Sequence, residues 1–183
     1  MSGVPVAIPY LRLAIDRVKW RAADKLGLQR IVIMLGKQPI FTIHAELEAI
    51  TKLGRTPYGE RRVIGILGGK VSGPRLTGRI LPGGADWQII RSDGAADIKA
   101  RYTIETDAGA LIMVTSEGLR HGPPDVMEKL TRGDNVDPRL YYFRTVMRFE
   151  TADPAVDWLN RILAIARGQR EPRAVRLDVY EVE

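Results

Sequence analysis

From Ile40 onward, apolar and polar positions alternate with a period of two. Phe41, Ile43, Ala45 and Leu47 are interleaved with Thr42, His44, Glu46 and Glu48, which predicts a strand with one buried face. Segments 61–67, 75–81, 85–90, 96–105, 110–117, 140–150, 161–167 and 175–182 read as further strands. Tight-turn chemistry separates several of them: Pro82-Gly83-Gly84, Ser92-Asp93-Gly94 and Asp107-Ala108-Gly109. Glycine supplies the positive φ that such turns need. Two short helical pieces are predicted, over 124–132 and 155–159. Many short strands with glycine turns read as a sandwich or a barrel, mainly β and antiparallel.

The first part of the chain has a different period. Leu11, Ile15, Val18, Ala22 and Leu26 recur at helical spacing and predict an amphipathic helix from Pro9 to about Met34. The expected organisation is therefore a basic leader over residues 1–38, as a helix or a disordered arm, followed by one β-barrel domain over 39–183. Met34, just before the first strand, also reads as an alternative start.

Charge sharpens this division. The net charge is +6. Up to Gln38 there are seven basic residues against two acidic ones, and the remainder holds 21 against 20. The body is thus nearly neutral, unlike a nucleic-acid protein with a basic stripe on its folded face. A basic amphipathic leader suits weak contact with an anionic membrane surface. No apolar run reaches the roughly 18 residues needed for a membrane span, and no secretory signal is evident. The expectation is a cytoplasmic protein. The absence of cysteine fits that compartment and excludes thiolate chemistry.

Familiar catalytic motifs fail. Gly65-Ile66-Leu67-Gly68-Gly69-Lys70 resembles a phosphate loop, but Ile64 stands where a glycine is required and Val71 follows the lysine. Glycines at a strand bend or bulge explain it better. His44 and His121 have no partner at metal-ligand spacing. No metal and no cofactor are expected.

The informative stretch is Pro82-Gly83-Gly84-Ala85-Asp86-Trp87-Gln88. Alternation separates Trp87 from Asp86 and Gln88. It groups Lys99, Arg101, Thr103 and Glu105 opposite Tyr102, and Tyr142, Arg144 and Arg148 opposite Tyr141 and Phe143. A charged face of this kind is either solvated or, in a barrel, a lumen with a few convergent polar groups. On the second reading Asp86 is the base or proton shuttle. Arg101 and Arg144 hold an anionic or enolic oxygen. Trp87, Tyr102, Glu105, Arg120, His121, Tyr142, Trp158 and Asn160 are candidate ligand-binding residues. Arg120 and His121 lie in a segment expected at the barrel mouth, and Trp158 suits a core plug as well as a stacking surface.

Gly68-Gly69, Gly73-Pro74-Arg75-Leu76, Pro82-Gly83-Gly84-Ala85-Asp86-Trp87, Arg101-Tyr102, Gly118, Tyr142-Phe143-Arg144, Phe149-Glu150-Thr151 and Trp158-Leu159-Asn160 resemble uncharacterised protein family 0311, or domain of unknown function 3237. The resemblance runs from about Pro39 to Val182 and leaves the leader uncovered. It implies an antiparallel β-barrel similar to the calycin type. By analogy with relatives in pathways to aromatic natural products, it favours a cofactor-free cyclase or isomerase acting on an aromatic or enolic metabolite. Two alternatives stay open: a non-catalytic carrier of a hydrophobic ligand, and an interaction protein that uses its basic leader. Unpaired strand edges would invite a homodimer.

Overall fold

A computed structural model describes residues 35–183, and the predicted leader helix lies outside them. Ten strands follow in order: β1 (Phe41–Leu47), β2 (Thr51–Thr56), β3 (Gly59–Ser72), β4 (Gly78–Ile80), β5 (Gly84–Ile90), β6 (Ala96–Thr106), β7 (Leu111–His121), β8 (Tyr142–Glu150), β9 (Ala164–Arg170) and β10 (Ala174–Glu181). One α-helix, α1 (Pro124–Arg132), joins β7 to β8, and 3-10 turns occupy Pro138–Leu140 and Asp157–Arg161.

All pairings are antiparallel. Hydrogen bonding runs β1-β10-β9-β8-β7-β6, then through β4 and β5 to β3, and β3 pairs back with β1. The sheet thus closes into an eight-strand barrel, which leaves no edge along that circuit. β4 and β5 share one position because each covers part of the long β3. β2, which the alternation did not predict, pairs only with the start of β3; its Thr-Lys-Leu-Gly-Arg-Thr sequence has no buried face.

Inward positions follow the predicted parity. In β7, Ile112, Val114, Ser116 and Arg120 are buried while Leu111, Met113, Glu117 and Leu119 face out. β3 is the exception. Arg62, Ile64 and Ile66 point in, but so does Val71. The register against β1 shifts where Glu46 pairs with Gly68 and Leu47 with Ile66. Gly68 and Gly69 adopt φ of 153° and 144° there, and a Cβ on Gly69 would lie 2.1 Å from the His44 carbonyl oxygen. The glycine pair makes a bulge that resets which residues enter the barrel.

Two ends of the interior differ. Phe41, Ile43, Val71, Ile104, Ile112, Val114, Leu159 and Val179 are fully buried and apolar. Phe41 and Phe149 meet edge to face at 5.9 Å. Towards the other end the inward side chains become polar: Gln88, Ser116, Arg120, Thr145 and Arg170 are all buried. Helix α1 adds Val126 and Leu130 to the core. It has Pro124 in its first turn and stops at Gly133, whose φ of 88° fits a left-handed cap.

Candidate functional site

At the polar end, a cavity of about 50 Å³ is lined by sixteen side chains, among them Asp86, Gln88, Tyr102, Ser116, Arg120, Thr145 and Arg170, with Leu47, Ile66, Phe143 and Val175 as apolar walls. Such a volume holds water or a small chemical group.

Backbone geometry brings Asp86 here. β5 pairs with β6 at Ala85↔Arg101 and Asp86↔Ala100, and pairing resumes at Ile89↔Asp97. In the gap, the Lys99 backbone N–H donates to Asp86 Oδ1 at 3.1 Å. Gln88 Nε2 donates to Asp86 Oδ2 at 2.6 Å. Tyr102 lies against Gly84, where a Cβ would come 2.5 Å from the tyrosine's own Cβ; only glycine lets the two strands approach so closely. Phe143 packs in the same way on Gly168, where a Cβ would fall 2.4–2.7 Å from ring atoms.

The polar groups are unequally satisfied. Arg170 donates through one guanidinium nitrogen to the Glu171 and Ala174 carbonyls at 2.6 and 2.7 Å. Its backbone N–H donates to the Tyr141 hydroxyl at 2.8 Å. Ser116 donates to Thr145 at 2.9 Å. By contrast, Gln88 Oε1, the Tyr102 hydroxyl and Arg120 Nε are buried without any hydrogen-bond partner. Buried polar atoms are normally paired, so each of these calls for a physical reason.

Burial also dominates the electrostatics. It pushes the Asp86 carboxyl above the usual carboxylate range, against the opposing effects of its two hydrogen bonds and of Arg120 and Arg170. It brings the Arg120 guanidinium down to about 10, assisted by Arg170, so Arg120 stays charged at neutral pH. Arg170 is lowered and the Tyr102 phenol raised by the same cause. Among the described residues no three His, Asp or Glu side chains converge as a metal site would need.

Of the residues singled out in the sequence, the structure gathers Asp86, Tyr102 and Arg120 around the cavity. The others are elsewhere. Arg101 and Trp87 are exposed on the outer surface, where Arg101 borders an open groove of about 730 Å³ with Met113, Glu117, Val146, Arg148 and Asn160. Tyr142 is also outside, stacked on His121 at 5.0 Å with Arg144 5.3 Å from its ring. Arg144 and Arg101 occupy the strand positions that alternate with the inward Phe143 and Tyr102, so neither reaches the lumen. Glu105 pairs with Arg79. Trp158 packs on the core under Arg75, 3.7 Å from the ring. Asn160 staples the backbone of Thr151 with two 2.9 Å hydrogen bonds.

Gln88 and Arg170 were not singled out as site residues. Gln88 shares the Asp86 face. Arg170 ends an inward series Ala164, Ala166, Gly168 whose small residues signal a crowded interior; extending the strand past Arg167 reveals it.

Residues 36–182 match a family described as "Protein of unknown function (DUF3237)". An uncharacterised family 0311 protein of Rhodopseudomonas palustris is 43% identical over 143 residues, 78% of this chain and 94% of that protein. One from Clostridium acetobutylicum is 37% identical, covering 79% and 92%. A crystal structure from Rhodopseudomonas palustris, of a conserved protein of unknown function, superposes with a TM-score of 0.77 at 42% identity, over 82% and 98% of the two chains. A protein from Acinetobacter baumannii, described as β-barrel like, gives 0.71 at 42% identity, over 82% and 96%. An enzyme from Penicillium herquei shares the fold, with a TM-score of 0.56 at 20% identity over 80% and 96%. Among the described residues no helix is long and apolar enough to cross a membrane. The barrel, its sequence motifs and its relatives agree: the chain belongs to the DUF3237 family, whose curated relatives carry the name uncharacterised protein family 0311.

Proposed function

We propose that this protein is a small-molecule-binding barrel of the calycin kind, with its site in the polar end of the lumen and Asp86 as the proton-transferring group of a cofactor-free isomerase or cyclase. One observation carries this reading: three buried polar atoms without partners, on Gln88, Tyr102 and Arg120, belong to residues around one cavity. Folding leaves such atoms unpaired at a cost of about 1–3 kcal/mol each, and a ligand would recover it. A carboxyl raised by burial is better suited to carry a proton than an exposed aspartate. Arg120 takes the oxyanion-holding role that alternation had given to Arg101 and Arg144. The substrate class is an aromatic or enolic metabolite with an acidic C–H or O–H.

A second reading, a non-catalytic carrier, draws on a different fact. Both Asp86 oxygens already accept a hydrogen bond, as they would if Asp86 only shaped the site. Native mass spectrometry on protein purified without denaturation separates the readings. A co-purified small molecule that Asp86→Asn retains but no longer converts supports the enzyme. A ligand recovered chemically unchanged from both proteins supports the carrier. Empty protein in every preparation, with no ligand found by screening, would remove the lumen site altogether.

A further inference from the structure

Counting charges at the polar end gives a sharper picture of the occupant. Arg120 and Arg170 line the cavity with one carboxyl, Asp86, and the charge of Glu171 also favours the Arg170 cation. Arg62, also buried, is matched by its own partner Glu60 at 3.3 Å. Arg170 is anchored on backbone carbonyls. Arg120 forms no ion pair among the described residues, and its guanidinium lies 5.6 Å from the Phe143 ring centroid. Proteins rarely bury a cation without a counter-ion, because desolvating a charge costs several kcal/mol. Among the described residues, Arg120 therefore stands without an ion pair and with its buried Nε unpartnered.

The unpaired atoms specify the rest. Arg120 Nε can only donate. Gln88 Oε1 can only accept. The Tyr102 hydroxyl can do either. Water could fill a space of this size, but a neutral water gives Arg120 no ion pair.

We infer that the lumen binds a small monoanion, a carboxylate or enolate bearing a hydroxyl on the adjacent carbon, with its oxyanion held by Arg120 and Tyr102 and its hydroxyl donated to Gln88 Oε1. This rests on the lumen being the binding site. The apolar wall of Leu47, Ile66 and Val175 receives whatever lies beyond the anionic head. Asp86, already bonded through both oxygens, stands beside Gln88 and therefore next to the ligand's hydroxyl.

Three probes dissect the recognition: glycolate, which has both features; acetate, which lacks the hydroxyl; and ethylene glycol, which lacks the charge. Titration calorimetry, with thermal shift as a second readout, should show glycolate binding with a Kd on the order of 0.1–1 mM, as befits so few atoms. Acetate should bind about tenfold more weakly and ethylene glycol not measurably. Arg120→Gln should weaken glycolate by about ten- to a hundredfold. Gln88→Met should remove the preference for glycolate over acetate while keeping acetate binding, a result that misfolding cannot imitate. Glycolate binding unaltered by either substitution in folded protein would overturn the inference. So would a neutral ligand recovered from the lumen by native mass spectrometry, although that result would leave the lumen site standing. Failure of all three probes together with an empty lumen would sink both.

Discussion

One barrel interior contains two environments, and the same strands build both. Along β7 the inward residues run Ile112, Val114, Ser116, Arg120; along β8 in the opposite direction they run Phe149, Met147, Thr145, Phe143. At one end the fully buried side chains, Phe41, Ile43, Val71, Ile104, Ile112, Val114, Leu159 and Val179, are apolar. At the other, two arginines, an aspartate and a glutamine surround a cavity. Close packing at the apolar end supplies stability through burial and dispersion. The polar end works against stability, since it desolvates charges and leaves three atoms unpaired. A fold that tolerates such a cost in one place, and holds it there with a packed plug, has the division of labour expected when strain is kept for function.

The largest effect should come from breaking the plug. Phe41 is fully buried and meets Phe149 edge to face at 5.9 Å. Phe41→Ala should lower the unfolding free energy by about 3–5 kcal/mol in urea titrations. A loss below about 1 kcal/mol would mean that this end is not the structural half. A smaller loss is expected from Gly168→Ala, where the new Cβ meets the Phe143 ring at 2.4–2.7 Å. Overpacking of this kind costs roughly 1–3 kcal/mol. Because Phe143 also walls the cavity, glycolate affinity should fall with it.

The contrast between the ends explains what could be read from the sequence. The antiparallel β class and most strand positions followed from the period of two and from glycine turns, because those signals are local, while the choice of a barrel over a sandwich came from the family resemblance. Facing in or out was legible within any single strand: alternation put Arg101 opposite Tyr102 and Arg144 opposite Phe143. Which of the two faces closes around a lumen is decided by the circuit from β1 through β10 back to β3, and that is a global property. Arg101 and Arg144 are therefore on the outer surface, while Tyr102 belongs to the interior. Arg170 was hidden for another reason. It follows three small inward residues, so its strand has no strong hydrophobic pattern to extend. β2 escaped because a strand with no buried face leaves no period to detect.

At the polar end the sign of the mutational effect should reverse. Tyr102→Phe deletes a buried hydroxyl that has no partner and keeps the buried ring. The unliganded protein should gain about 1 kcal/mol in thermal or urea unfolding, and glycolate should bind more weakly. A loss of stability would show that water or a ligand already satisfies the hydroxyl in solution, and would blur the distinction between the two ends.

The last contrast belongs to Asp86, read through pH. Burial holds its carboxyl above the ordinary aspartate value of 3.8, so between the unfolded and folded pKa values the native state binds more protons than the unfolded one. By linkage, the contribution of this group is complete below pH about 4 and is lost as pH rises through the folded pKa. Asp86→Asn cannot titrate, so it removes this decline while leaving every other carboxylate in place. The difference in unfolding free energy between the wild type and the variant should therefore shift in favour of the variant as pH is raised from 4 to 7, by about 1.4 kcal/mol for each unit that the native pKa is raised. Urea titrations of both proteins at several pH values measure it. A difference that stays flat would place Asp86 in a wet, unperturbed setting. One that moves the other way would mean that Arg120 and Arg170 outweigh desolvation and keep Asp86 ionised, which would leave it as the counter-ion of the pair and without a proton to exchange.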